Sequence, residues 1–245
     1  MMVSVIGFGG GPLWKAKQAR VVKAAIKMGV NYIDTAHRYG NGMSETIIGD
    51  ALSSMRRHVY IATKTRQRTA EAARREILES LRRLKVRKID ILQMHAVATM
   101  SDLQQILDPV NGALRAVKQL QQRGLVDFIG ITGAHGPNDF PGGNIDSDAQ
   151  VAVCAEALRT QEFDTVQLSY NTEFHDGPIA DLIDLAASLD VGVICKKPLG
   201  AGRLVGKYTV EELLEFVLSN PKIHTAIPGM ATLEHVLEDV PAGYS

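Results

Sequence analysis

Asp34, Tyr39, Lys64 and His95 are the residues of this chain whose types and spacing could carry acid–base chemistry. A tyrosine, with an ordinary pKa near ~10, donates a proton near neutrality only where a neighbouring ammonium lowers that value. Lys64 can supply the ammonium. Asp34 would pair with Lys64 and keep it charged in a site that otherwise disfavours charge, while His95 would orient a substrate carbonyl by hydrogen bonding. A proton donor beside a carbonyl needs a hydride source, which points to a reduced nicotinamide lying across the same site. Taken singly, each residue also has an ordinary structural role: packing for a tyrosine, a strand-end hydrogen bond for a histidine, an ion pair for Lys and Asp. The chemical reading rests on the set.

Such a set needs elements that bring its members together. Short apolar runs rich in Val and Ile, at 3–8, 31–35, 59–64, 89–95, 126–132, 165–170, 192–197 and 224–228, alternate with segments of helical period. In Ala70–Leu84 the residues Ile77, Leu78, Leu81 and Leu84 make one apolar face, with Arg74, Arg75, Arg82 and Arg83 largely outside it. Ser147 with Gln150 and Thr209 with Glu212 have capping-box spacing, and Ser44 is placed to cap the helix that holds Glu45. Eight βα units in 245 residues average about 31 residues each, the size of one right-handed crossover, and predict a single closed (β/α)8 TIM barrel over 1–245. In that fold the C-terminal strand ends surround the active site, and Asp34, Lys64 and His95 end the second, third and fourth strands. Residues 133–146, rich in Gly and Pro, read as an extended loop on the same face.

A doubly wound sheet is the rival architecture. Gly7-Phe8-Gly9-Gly10-Gly11-Pro12 resembles a dinucleotide fingerprint, and Asp34 sits where a ribose-binding acid would. Pro12 at the third glycine position argues against it, as does a following helix, 15–28, that starts too late to put its N-terminus on a pyrophosphate.

Composition excludes several classes. Lys plus Arg and Asp plus Glu number 27 each, for a formal net charge of zero, so neither a nucleic acid nor a membrane surface is an expected partner. No apolar run approaches the ~18 residues of a membrane helix, and the opening residues carry no basic segment of a leader. Cys154 and Cys195, the two cysteines, lie inside apolar elements outside any CxxC and read as reduced core residues, which suits a cytoplasmic protein.

Asn31-Tyr32-Ile33-Asp34-Thr35-Ala36-His37-Arg38-Tyr39-Gly40, followed by Ser44-Glu45 and Ile48-Gly49, resembles the signature of the aldo-keto reductase family. The family's Asp, Tyr, Lys and His tetrad matches Asp34, Tyr39, Lys64 and His95 in order and strand context. Ile129-Gly130-Ile131-Thr132-Gly133, Val166-Gln167-Leu168-Ser169-Tyr170-Asn171, Lys197-Pro198-Leu199-Gly200-Ala201-Gly202 and Ile227-Pro228-Gly229 are similar to later family segments, so the resemblance runs over nearly the whole chain. It implies reduction of aldehyde or ketone carbonyls with NADPH, NADH not excluded, on a small-molecule carbonyl substrate.

Carried over by position, the resemblance implies that Thr132 and Gln167 face the nicotinamide amide, with Gly133 replacing a frequent Asn. Leu199, Gly200 and Gly202 fall on the loop that cradles the pyrophosphate through backbone N–H groups, and Arg203 could add charge there. Lys196 stands where many members stack an aromatic ring on the nicotinamide, so its alkyl stem would have to serve. After the eighth strand Gly229 and His235 occupy the usual Lys and Arg positions for a 2′-phosphate, within a stretch that includes Met230. Glu238 is at the position of an acid near the adenine amino group, with Asp239 replacing the Asn commonly beside it. The chain begins almost directly with a barrel strand and ends soon after the eighth helix, which predicts an open site with little C-terminal loop. Its walls would come from Trp14, the residues around Arg66–Arg68 and the loop near 135–140.

Two other functions compete. A metal-dependent hydrolase could use Asp34, His37, His95, His135 and His175, but the first strand offers Gly7-Phe8-Gly9 where an HxH pair would start, and no HxH, HExxH or paired-cysteine spacing occurs. A coenzyme-binding regulatory subunit with little turnover shares every fold-level feature. The intact tetrad favours the reductase. Substrate identity, the direction of reaction and the oligomeric state are not encoded in these patterns.

Overall fold

The computed structural model describes residues 1–53, 55, 59–133 and 147–243. Its eight strands are β1 (Phe8–Gly9), β2 (Tyr32–Asp34), β3 (Tyr60–Thr65), β4 (Ile89–Val97), β5 (Val126–Gly133), β6 (Thr165–Ser169), β7 (Gly192–Lys196) and β8 (Thr225–Ile227). They form one sheet in sequence order with every neighbouring pair parallel. Bridges from Ile6 to Ala226 and from Gly9 to Gly229 join β8 back to β1. The sheet is thereby a barrel, as the eight-fold alternation predicts. Around it lie α1 (Ala19–Lys27), α2 (Met43–Leu52), α3 (Ala70–Leu84), α4 (Met100–Leu107), α5 (Ala113–Gln122), α6 (Ser147–Arg159), α7 (Pro178–Ser188), α8 (Val210–Leu218) and α9 (Leu233–Asp239). Among the described residues no helix is long and apolar enough to cross a membrane.

Two hydrophobic layers hold this arrangement. Outside the strands, Ile33, Ile61 and Ile131 pack on Val22, Ile77, Leu84 and Leu120 of the helices. Each such side chain, fully buried, is worth roughly 1.5–3 kcal/mol. Inside the barrel, Tyr32, Ala62, Ile91, Ile194 and Ile227 form an apolar plug. Strand residues alternate across the sheet, so two positions further along β2, β3 and β4 the inward places fall to Asp34, Lys64 and Gln93. The polar layer therefore sits directly above the plug, at the C-terminal mouth. The two cysteines are buried in the core, and burial pushes the Cys154 thiol up to about 12.

Several local expectations are corrected. The first strand is Phe8–Gly9 in place of 3–8, and ahead of it Ser4 and Asn31 exchange side-chain bonds, Ser4 N–H to Asn31 Oδ1 at 2.6 Å and Asn31 N–H to Ser4 Oγ at 3.2 Å. The helix expected over 15–28 begins as a 3-10 turn, Ala16–Gln18, before α1. Ser44 does not cap α2, whose N-cap is Gly42; its buried hydroxyl donates to the Gly10 carbonyl at 2.8 Å and lies 2.8 Å from Thr35 Oγ1, tying β1 to β2. Leu78 is exposed, and the inner face of α3 comprises Ala73, Glu76, Ile77, Ser80, Leu81 and Leu84. Thr209 caps α8 in a capping box with Glu212, as its spacing predicts.

Candidate active site at the barrel mouth

Asp34, Tyr39, Lys64 and His95 come together at the C-terminal end of the barrel. Lys64 Nζ donates to Asp34 Oδ1 and, at 2.7 Å, to the Thr35 carbonyl. The same nitrogen lies 5.1 Å from the centroid of the Tyr39 ring. His95 meets that ring edge to face, with centroids 5.8 Å apart and planes at 83°. Lys64 is 1% exposed and Asp34 2%. Burying two opposite charges is tolerated only where the remaining lone pairs are satisfied. Asp34 meets this condition, since Oδ2 accepts from Gln93 Nε2 at 3.1 Å and from Gln167 Nε2 at 2.8 Å. Gln93 in turn accepts from the Thr132 hydroxyl, so a continuous polar chain runs from β5 to Lys64.

The backbone explains why these side chains point where they do. Beyond β2, Thr35 N–H still bonds the Ala62 carbonyl at 2.9 Å, and Tyr39 N–H closes a turn on the Ala36 carbonyl at 3.0 Å. Tyr39 opens a short 3-10 turn whose Gly40 and Asn41 have φ of 58° and 53°. The register of β4 against β5 shifts between Met94 and Val97, and Ala96 takes φ of 51°. An irregularity of this kind re-aims a side chain, here that of His95. Arg68 clamps it by donating from Nη2 to the carbonyls of His95 and Ala96, at 3.1 and 2.9 Å, while Nε bonds Asp102 Oδ1 at 3.0 Å.

Other predicted site residues are distributed around the same mouth. Trp14 is 63% exposed, and a Cβ on Gly40 would stand 3.5 Å from its Cε3, so the indole is beside the Tyr39 turn. Lys196 donates to the Gly133 carbonyl at 2.6 Å, spanning from β7 to β5. After β7, Lys197, Gly200, Ala201 and Gly202 have positive φ of 54°, 58°, 58° and 88°, a run in which the outer glycines relieve the clash an L side chain meets. Leu199 is partly buried beside this loop and packs on the main core. Arg203 pairs with Glu173 at 3.2 Å. Gly229 follows β8, the Met230 side chain is buried, and Met230 N–H bonds the Gly9 carbonyl at 3.2 Å. His235 is exposed and its Nδ1 accepts from Ala231 N–H at 3.2 Å, while Glu238 is exposed. The loop near 135–140, with His135, lies outside the described residues. Among the described residues no group of three or more His, Cys, Asp and Glu is arranged to hold a metal ion.

Sequence reasoning missed the amide ring around Asp34. Gln93 sits two residues before His95 and shares its inward face by strand alternation, a signal that was available. It also missed the engagement of His37 by α3, for which no local pattern exists.

The model of the Aldo/keto reductase family matches residues 5–239. L-galactose dehydrogenase of Arabidopsis thaliana is 28% identical over an alignment of 295 positions that covers 99% of this chain and 85% of that protein. Among solved structures, the holo form of an aldo-keto reductase from Bacillus halodurans superposes with a TM-score of 0.81 at 22% identity, covering 99% of this chain and 87% of that one. An aldo-keto reductase from Klebsiella pneumoniae in complex with NADPH gives a TM-score of 0.75 at 20% identity, with 99% and 86% covered. These likenesses agree with the barrel, and the chain belongs to the aldo/keto reductase family.

Proposed function

We propose that this protein reduces the carbonyl of an aldehyde or ketone to an alcohol with NADPH or NADH, Tyr39 giving the proton. The observation that carries this reading is the buried Lys64, bound to Asp34 and 5.1 Å from the Tyr39 ring centroid, with His95 edge to face against that ring. The mouth offers features that fit a nicotinamide coenzyme. The loop after β7 turns through four residues of positive φ, and among the described residues nothing lies within 4 Å of a Cβ built on Gly202 and the buried Ser169 hydroxyl at the end of β6 has no hydrogen-bond partner. Thr132, Gln167 and Lys196 would hold the nicotinamide end, Leu199, Gly200, Gly202 and Arg203 the pyrophosphate, and Gly229, Met230, His235 and Glu238 the adenosine end. Bound there, a reduced nicotinamide supplies hydride to the carbonyl carbon.

The chain's own residues do the rest. His95 and the Tyr39 hydroxyl orient the carbonyl oxygen, and the Tyr39 proton moves to that oxygen as its charge develops. The Lys64 ammonium stabilises the phenolate left on Tyr39. Asp34 keeps Lys64 in place and charged, and the amides of Gln93 and Gln167 hold Asp34. Trp14, exposed beside the Tyr39 turn, offers an apolar wall to the substrate.

Replacing Tyr39 by Phe tests the assignment. Loss of the general acid should cost about 10²–10⁴-fold in turnover with coenzyme affinity nearly unchanged. A Phe variant that keeps wild-type turnover, with chemistry shown to limit the rate, would remove Tyr39 from this role. Coenzyme binding by the wild type without turnover of any carbonyl in a broad panel would instead favour a binding protein.

A further inference from the structure

His37 lies two residues before Tyr39 and is held by α3. Its N–H donates to the Lys64 carbonyl at 3.3 Å, and its own carbonyl accepts from Arg83 Nη1 at 3.3 Å. Its ring stands between two carboxylates one helical turn apart: Nδ1 is 2.9 Å from Glu76 Oε1, and Nε2 is 3.1 Å from Glu79 Oε2. A neutral imidazole carries one N–H, so in that form one nitrogen would turn a lone pair toward a carboxylate. Only the imidazolium bonds both.

The carboxylates are themselves held. The Glu76 side chain is 9% exposed, and its other oxygen accepts from Thr65 Oγ1 at 2.9 Å, next to Lys64 on β3. Glu79 pairs with Arg83 at 2.6 Å and with Arg82 at 3.8 Å. Arg83 continues to Glu45 of α2 at 3.5 Å, and Glu45 accepts from Thr63 Oγ1 at 2.7 Å. The ionisable groups facing His37 are therefore Glu76, Glu79 and Arg83 from α3 and Glu45 from α2, while β3 contributes a carbonyl and the Thr65 hydroxyl. The hydrogen bond to Glu76, and the lesser one to Glu79, raise the His37 pKa above its ordinary value against the opposing pull of partial burial.

The segment that these bonds anchor carries the proton donor. Between His37 and α2 the chain runs through left-handed Gly40 and Asn41. We propose that His37, as the imidazolium bound between Glu76 and Glu79, is a positioning residue that holds the β2–α2 segment so that Tyr39 stands against Lys64 and His95. The phenol is correctly placed only while His37 is charged. The consequence for catalysis rests on Tyr39 being the proton donor; the coupling of His37 to Tyr39 does not.

The test reads both residues in the same sample. Imidazole and ring-¹³C tyrosine resonances are followed by NMR from acid to alkaline pH, with His37 and Tyr39 assigned from H37Q and Y39F. His37 should titrate above the ordinary value of about 6.5, and E79Q should lower its midpoint. The Tyr39 resonance should show a step at the His37 midpoint that disappears in H37R, where a permanent cation replaces the imidazolium, and in H37Q. In parallel, kcat/KM should fall by roughly tenfold as pH rises through that midpoint. H37R should abolish the fall, and H37Q should be low at every pH. A Tyr39 resonance indifferent to the His37 midpoint, or the same step persisting in H37R, overturns the proposal whatever the activity. A coupled Tyr39 in a protein that reduces no carbonyl removes the proton-donor reading alone.

Discussion

Lys64 is the residue on which the charges of the mouth converge, and its removal separates catalysis from stability. Lys64→Met leaves Asp34 buried with two amide donors and no counter-ion, which should cost about 3 kcal/mol and lower turnover at least as far as loss of the acid does. Adding Asp34→Asn should restore most of the urea resistance and none of the activity, whereas a double variant as unstable as the single one would show that the pair is not the source of the loss. Asp239 makes the opposite case. Its carboxyl is buried, Oδ2 has no hydrogen-bond partner among the described residues, and burial together with nearby Glu238 pushes its pKa up to about 7. Because the folded value lies above the unfolded one, the stability contribution is full below the ordinary carboxylate range and is lost as pH rises toward 7. Asp239→Asn should therefore unfold at higher urea than the parent at neutral pH and above, with the gain shrinking toward zero near pH ~4. The tetrad was legible from the sequence because each member sits at or just beyond a strand end, where barrels collect chemistry. The plight of Asp239 was not, since burial of a helix residue among distant elements leaves no local trace.

Helices carry both the failures of pattern reading and the question of coenzyme choice. Periodicity put Leu78 on the inner face of α3, yet that face turns toward Glu76 and Ser80, because His37 and Thr65 claim Glu76 as a partner. A hydrophobic pattern cannot register a polar contact made 39 residues away in the chain. Ser44 misled for the same reason, being spent on Gly10 and Thr35 rather than on its own helix. At α9 the pattern is simpler. Gly229 and His235 leave no permanent cation after β8, and His235 Nδ1 is engaged by Ala231 N–H. Arg203 and Lys207, the nearest candidates on the loop after β7, both face Glu173. A 2′-phosphate gains most from a guanidinium that binds it bidentately, so NADPH should bind with only a modest preference over NADH. Titrating both reduced coenzymes at one pH checks this, because a cation at that position would strengthen only the phosphorylated one. A preference beyond about a hundredfold would place the phosphate on cations elsewhere, Arg203 or Lys207 first.

For the whole molecule the decisive feature is the seam that turns a sheet into a barrel. Eight-fold alternation announced the fold, because a parallel strand must be buried on both faces and needs a helix before the next one. The seam itself was invisible, since it joins the two ends of the chain and uses few residues. Gly7 N–H bonds the Ala226 carbonyl at 2.8 Å, Ala226 N–H the Val5 carbonyl at 2.8 Å, and Gly9 N–H the Pro228 carbonyl at 2.9 Å. Gly9 is the tightest point: a Cβ there would stand 2.5 Å from the Pro228 carbonyl oxygen and 2.9 Å from that of Ile227, both backbone atoms. No rotamer can relieve such a contact, so Gly9→Ala must push β8 away from β1. Overpacking of this kind typically costs about 1–3 kcal/mol. The strain falls on the closure and also on the ligand face, because Gly9 pairs with Asp34 on one side and with Gly229 on the other. Gly9→Ala should thus lower the urea midpoint, speed amide exchange at Gly7, Gly9 and Ala226 before that of β4 and β5, and weaken coenzyme binding more than Gly124→Ala. That control is a fair one for added bulk, since Gly124 has nothing within 4 Å of its Cβ position, although its φ of +69° adds a local backbone cost. If Gly9→Ala matched the parent in midpoint and in seam exchange, the closure would not depend on the close approach at this glycine.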